Sequence, residues 1–124
     1  MHEIGIASEV HRMCRAHMDA RGGGRLERVS LAVGELSAVE PDLLKFAWEA
    51  VTVGGPDASA PLEIEWRPAR LCCGTCGEIR ERPAGTWWSA CPRCAGPVSI
   101  EGGRELDLLR FEYSPGEATV EAES

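Results

Sequence analysis

Positive charge is scarce in this chain. Thirteen Lys and Arg stand against twenty Asp and Glu over 124 residues, a formal net charge of −7, and Lys45 is the sole lysine. Neutralising a phosphate backbone takes clustered Lys and Arg. The balance therefore argues against a nucleic-acid partner, although Arg67, Arg70, Arg80, Arg82 and Arg93 fall in one stretch. Long apolar runs are also missing. No segment approaches the ~18 apolar residues of a membrane span, and no basic region followed by an apolar core opens the chain. A cytoplasmic protein without a membrane partner is expected. No Ser/His/Asp arrangement, phosphate loop or paired carboxylate with a pocket stands out, so an enzyme is not expected. There is no internal repeat.

The chain is 44% apolar, enough for one modest core. A chain of this length buries roughly two-thirds of its unfolded surface, so an extra staple would help. Ile6, Val10, Met13 and His17 recur at helical spacing, widened by Ala7, Cys14 and Met18, and predict a helix over residues 4 to 20 that ends at Gly22-Gly23-Gly24. Val29, Leu31 and Val33 alternate as in a half-buried strand. Glu40-Pro41-Asp42 opens a second helix with apolar Leu44, Ala47, Trp48 and Val51, stopped by Gly54-Gly55-Pro56. Leu62, Ile64 and Trp66 predict another strand, and Val98 and Ile100 a short one. Residues 105–113 predict a longer strand, with Leu109, Phe111 and Tyr113 on one face and Leu106 and Leu108 on the other. His11 and His17 read as surface or core-edge histidines. The expected class is α+β: a small mixed three-stranded sheet with two helices, interrupted by a four-cysteine zinc-ribbon-like module. The expected domains are 1–67 plus 98–113, then 68–97 for the module, then a mobile acidic tail over 114–124.

Residues 68–97 hold five of the six cysteines and little periodicity. Cys73-Gly74-Thr75-Cys76 and Cys91-Pro92-Arg93-Cys94 are two CxxC pairs, 14 residues apart. Two residues between thiols let one tight turn aim both sulfurs at one ion, and two such turns close a tetrahedral S₄ site suited to Zn²⁺, with iron the chemical rival. Four protein ligands leave no open position, so the site should be structural. Cys72 would need three intervening residues to pair with Cys76, and Cys73 is the expected ligand. Cys14 reads as a buried small hydrophobe, and Trp87 and Trp88 should pack over the knuckles.

At the other end stands Met1-His2-Glu3. A free α-amine, adjacent amide nitrogens and the His2 imidazole can surround one ion in a plane of nitrogens. That geometry favours Ni(II) or Cu(II). The expected site is exposed and flexible.

Several segments together carry a resemblance. Met1-His2-Glu3, Gly34-Glu35-Leu36-Ser37-Ala38-Val39-Glu40-Pro41, Leu62-Glu63-Ile64-Glu65, the two CxxC pairs and Gly103-Arg104-Glu105-Leu106 occur in an order that resembles the HypA family of hydrogenase nickel-incorporation proteins, over roughly residues 1–113. The resemblance implies a nickel metallochaperone for [NiFe] hydrogenase maturation, with a nickel-binding domain joined to a four-cysteine zinc domain. It implies nickel held at the N-terminus by His2, with Met1 and Glu3 contributing and Glu3 offering at least its backbone, and Zn(2+) held by Cys73, Cys76, Cys91 and Cys94. It implies the GTPase HypB and the hydrogenase large-subunit precursor as partners. The extra Cys72, the glycine-rich turn and the acidic tail depart from the family pattern.

Overall fold

The structure, a computed structural model, describes residues 2–115, and for His2 the backbone only. Met1 and the 116–124 part of the expected tail lie outside the described residues.

Helix α1 runs His2–Asp19. Its buried stripe is Ala7, Val10, Cys14 and Met18, a face turned slightly from the one the apolar spacing suggested. Met13 is exposed and lines a cleft with Val10, Leu106 and Leu108. The helix stops where glycine permits: the Gly23 amide returns to the Met18 carbonyl at 2.8 Å, with Gly22 and Gly23 at φ 99° and 84°. A 6→1 bond of this kind is the Schellman closure, which needs a residue free of Cβ strain.

Strand β1 (Gly24–Gly34) follows, then α2 (Pro41–Thr52) and β2 (Leu62–Arg67). Glu40 caps α2, its side chain accepting the Asp42 amide at 3.4 Å, with Pro41 in the first turn. Because a helix intervenes, β2 lies parallel to β1, pairing Val29 with Leu62 and Val33 with Trp66. The last strand, β6 (Leu106–Pro115), runs antiparallel on the other side, giving the order β2-β1-β6. One face of the sheet packs Val29, Leu31 and Val33 against both helices. The opposite face carries ion pairs such as Arg28–Glu63 and Arg28–Glu112, both at 3.7 Å.

β6 differs from its expected pattern. Its register slips between Ser30 and Leu31, so Arg110 faces Ser30 while Leu108 faces Leu31. The extra residue, Leu109, bulges out, and Leu108, Phe111 and Tyr113 all reach the core.

The expected cysteine module has a sheet of its own: β3 (Arg70–Cys73), β4 (Gly77–Glu78) and β5 (Val98–Glu101), ordered β4-β3-β5. β5 was expected in the first domain. It pairs instead with β3, Leu71 opposite Ile100 and Cys73 opposite Val98, because Val98 packs on a second small core of Leu71, Cys73, Ile79 and Cys91. Trp87 and Trp88 cover that core as expected.

A loop between α2 and β2 ties the larger core together. Asp57 is 1% exposed and accepts the Leu26 amide at 2.8 Å; its other oxygen lies 2.7 Å from His11 Nε2. Arg15 reaches the same carboxylate at 3.4 Å. His11 therefore serves the fold. Among the described residues no helix is long and apolar enough to cross a membrane.

Candidate metal centre

The four cysteines of the two CxxC pairs converge. Their sulfurs all lie within 4.8 Å of one another, and Cys73 Sγ is 3.5 Å from Cys94 Sγ. None of the six cysteines forms a disulfide. Each pair is shaped by a turn. Cys73 ends β3 and the chain reverses into β4 through Gly77, at φ 84°. At the second pair, the Ala95 amide donates to the Cys91 carbonyl at 2.7 Å and the Cys91 amide to Gly96 at 2.9 Å.

Backbone amides point at the sulfurs. Thr75 N–H donates to Cys73, Arg93 N–H to Cys91 and Gly96 N–H to Cys94, each at 3.4 Å. Such bonds favour the thiolate. The amides of Cys76 and then Thr75 draw the Cys73 thiol down to about 6. Cys76 is pushed up to about 12, first by its hydrogen bond with Cys94 and then by burial. Cys76 thus resists ionising beside the sulfurs it meets. A tetrahedral site with metal–sulfur bonds of about 2.3 Å requires sulfurs about 3.8 Å apart, and this cluster and its knuckle amides fit that requirement.

Cys72 is excluded from the cluster by strand parity. Consecutive strand residues face opposite sides, so Cys72, opposite Glu78 and Ser99, points away from Cys73's side. Burial, and the charge of Glu101 after it, raise its thiol above the ordinary value. Cys14 is fully buried on α1 and pushed up to about 11, by burial first and then by Asp57, which suits its reading as a small hydrophobe.

At the chain's other end, His2 and Glu3 form the start of α1. At Glu3 alone the structure departs from the expected exposed, flexible site: it is 7% exposed and its carboxylate accepts the Glu40 amide at 3.1 Å. That amide is the leading reason its carboxyl sits below the ordinary 4.5. The Glu3 side chain is thus committed to the junction of α1 with α2. Met1 lies outside the described residues, so its grouping with His2 and Glu3 is not described. Sequence reasoning missed three residues that position these regions. Asp57 was not singled out, and Glu35 and Arg82, whose side chains meet at 3.4 Å, stood only in the Gly34–Pro41 segment and the arginine-rich stretch, with nothing local to pair them.

The chain matches, over residues 1–113, the family model described as hydrogenase/urease nickel incorporation, metallochaperone, HypA. It is 33% identical over 113 residues to the hydrogenase maturation factor HypA of Moorella thermoacetica, spanning 90% of this chain and 98% of that protein. The corresponding factor of Geobacter sulfurreducens is 35% identical, again over 90% of this chain and 98% of its own. Among solved structures, the solution structure of the Ni metallochaperone HypA from Helicobacter pylori aligns with a TM-score of 0.59 at 26% identity, covering 92% of this chain and 98% of that one. A second solution structure of a HypA protein aligns at 0.63, also at 26% identity, covering 94% and 98%.

Proposed function

We propose that this chain, which belongs to the HypA family of nickel-incorporation metallochaperones, binds Ni(II) at Met1, His2 and Glu3 and passes it to the large-subunit precursor of a [NiFe] hydrogenase, with the GTPase HypB as its working partner. The observation that carries this reading is the family match, which begins at the Met1-His2-Glu3 segment and runs past both cysteine pairs. The work is cargo delivery in the cytoplasm, without a reaction catalysed by this chain.

Nickel is the cargo, and its ligands are nitrogens. The α-amine, backbone amide nitrogens and the His2 imidazole form a planar set, with Glu3 contributing through its backbone while its carboxylate holds α2. First-turn amides make no bond within the helix, so ligation there breaks no helical hydrogen bond. Such a terminal site has few ligands to detach, and nickel can leave by exchange onto the acceptor's thiolates.

The resident metal is Zn²⁺ on Cys73, Cys76, Cys91 and Cys94. Its chemistry is structural: a dication neutralises the ionised thiols and cross-links the two knuckles. The nickel domain comprises residues 1–67 with the β6 segment, and β5 is best grouped with the zinc module that it pairs with.

Nickel titration of the tag-free protein tests this reading, beside His2→Ala and a version extended at the N-terminus. Both changes should abolish specific nickel uptake and leave one zinc per chain by metal analysis. Unchanged nickel stoichiometry in either refutes the terminal site. A red protein with thiolate-to-iron absorption refutes zinc.

A further inference from the structure

Two short connectors join the sheet-and-helix domain to the cysteine module: residues 68–69 between β2 and β3, and 102–105 between β5 and β6. They lie against each other. A Cβ on Gly103 would sit 2.5 Å from the Ala69 Cβ, and one on Gly34 would collide with the Gly103 carbonyl. The Gly34 amide donates to Glu105 at 2.7 Å and the Leu36 amide to Gly103 at 2.5 Å. The segment Gly34-Glu35-Leu36 and the closing Gly103-Arg104-Glu105 thus meet at one joint.

A side-chain pair spans that joint. Glu35, just past β1, accepts the Ala69 amide at 3.0 Å and Arg82 Nη2 at 3.4 Å through the same oxygen. Arg82 belongs to the stretch between the cysteine pairs. It also donates to the Ala69 carbonyl at 3.1 Å and, within its own loop, to Thr86 at 3.1 Å and Pro83 at 3.4 Å. Its guanidinium lies 4.0 Å from the centroid of Trp87, which packs on the small core containing Cys73 and Cys91. Arg82 is 9% exposed and Glu35 16%. Among the described residues this is the only ion pair that links the two parts, and a guanidinium held on several sides is far less free to swing than a surface arginine.

We propose that Glu35 and Arg82 form a clamp that sets the angle of the cysteine module on the nickel domain, and that the clamp closes only when the module is folded around its metal. The second half rests on the resident-metal reading above. The knuckles position Ile79 and Trp87, Trp87 and the loop carbonyls position Arg82, and Arg82 meets Glu35. Loss of the metal releases the 77–90 stretch and with it the arginine. Closed, the clamp presents the start of α1 and the module to a partner in one fixed relation.

Residual dipolar couplings of backbone amides, measured on protein loaded with zinc alone, test the clamp. In the wild type, couplings from β1, β2 and β6 and from β3 and β5 should fit one alignment tensor. Arg82→Gln and Glu35→Ala should each keep one zinc per chain and intact couplings within the module, yet require two tensors. Glu35→Ala guards against a folding defect, since it removes the shared acceptor oxygen and leaves every Arg82 contact inside the module in place. Zinc removal from the wild type should collapse the module's couplings and spare those of the larger sheet. One shared tensor in Glu35→Ala with zinc retained overturns the clamp. A wild type that takes up no zinc overturns the resident-metal reading instead.

Discussion

Replacing Asp57 by Ala should destabilise the larger domain by about 3 kcal/mol. The Leu26 amide, in the buried start of β1, would lose its acceptor at 2.8 Å, and an orphaned buried donor costs about 1–3 kcal/mol. The carboxylate also faces Arg15 and the His11 ring, whose side chains are 25% and 24% exposed. Breaking a fully buried ion pair costs about 3–5 kcal/mol and an exposed one less than about 1; partners exposed by a quarter fall between, at about 1–2. Asp57→Asn keeps an oxygen for Leu26 and should lose only that second part. Urea unfolding followed by far-UV circular dichroism at constant excess zinc reads the difference. With a slope of about 1.5 kcal/mol per molar urea, the midpoint should fall by about 2 M for Ala and about 1 M for Asn. A shift below about 0.3 M for Asp57→Ala would refute the claim that this loop carboxylate holds α1 to the sheet.

Three further outcomes follow from the metal centre and the nickel end. Cys73→Ser should abolish stoichiometric zinc by metal analysis, whereas Cys72→Ser, altered on the other face of β3, should retain one zinc per chain. Zinc removal by a chelator should melt the small core around Leu71 and Ile79 and leave the Trp48 core folded, since a structural site's binding energy is folding energy; amide spectra distinguish the two. Glu3 should confer a pH-dependent stability. Its carboxyl lies below the ordinary 4.5, chiefly through the Glu40 amide, so in acid the unfolded chain binds the extra proton. The contribution is complete above about pH 4.5 and is lost as pH falls through the lower folded value. The gap in melting temperature between wild type and Glu3→Gln should therefore narrow from pH 6 towards pH 3.

What could be read in advance was local. The cysteine pairs announce themselves because two residues between thiols are a geometric necessity of the knuckle, and the choice of Cys73 over Cys72 follows from the same spacing. The two helices and the strands around Val29–Val33 and Leu62–Trp66 follow from periodicity, and the triple glycine from the helix end that it forms. What escaped was non-local. Val98 and Ile100 alternate as they would in either sheet, and only the small core under Val98 decides that they pair with β3. Leu109 looked like a core residue because nothing in β6 reveals that the ladder slips beside Ser30. Asp57 sits in a run of small turn residues, and its partners are 31 and 46 positions away in sequence. Glu35 and Arg82 lie 47 apart, and each alone resembles any surface charge.

The buried Glu3 changes how delivery should be imagined. A loose tail would present nickel in every direction and lose configurational freedom each time it met an acceptor. Here the residue next to His2 is tied by its carboxylate to the amide that begins α2, so the backbone bearing the imidazole starts from a defined place on a helix pair. The neighbouring surface includes Ile4, Leu43 and Phe46, exposed by 48%, 53% and 70%, which line a shallow groove with Glu3. On the proposed terminal site, lability would reside in the ligands and not in the scaffold: nickel would exchange as its terminal ligands detach one at a time, while the helix start tied through Glu3 keeps its position. In Glu3→Gln the amide oxygen can still accept from Glu40, so nickel uptake should persist with the scaffold. Glu3→Ala removes the tie, and specific uptake should weaken although no nitrogen ligand has been deleted. Equal nickel affinity in Glu3→Ala and wild type, measured by calorimetry on tag-free protein, would show that the anchored helix start plays no part in holding the cargo.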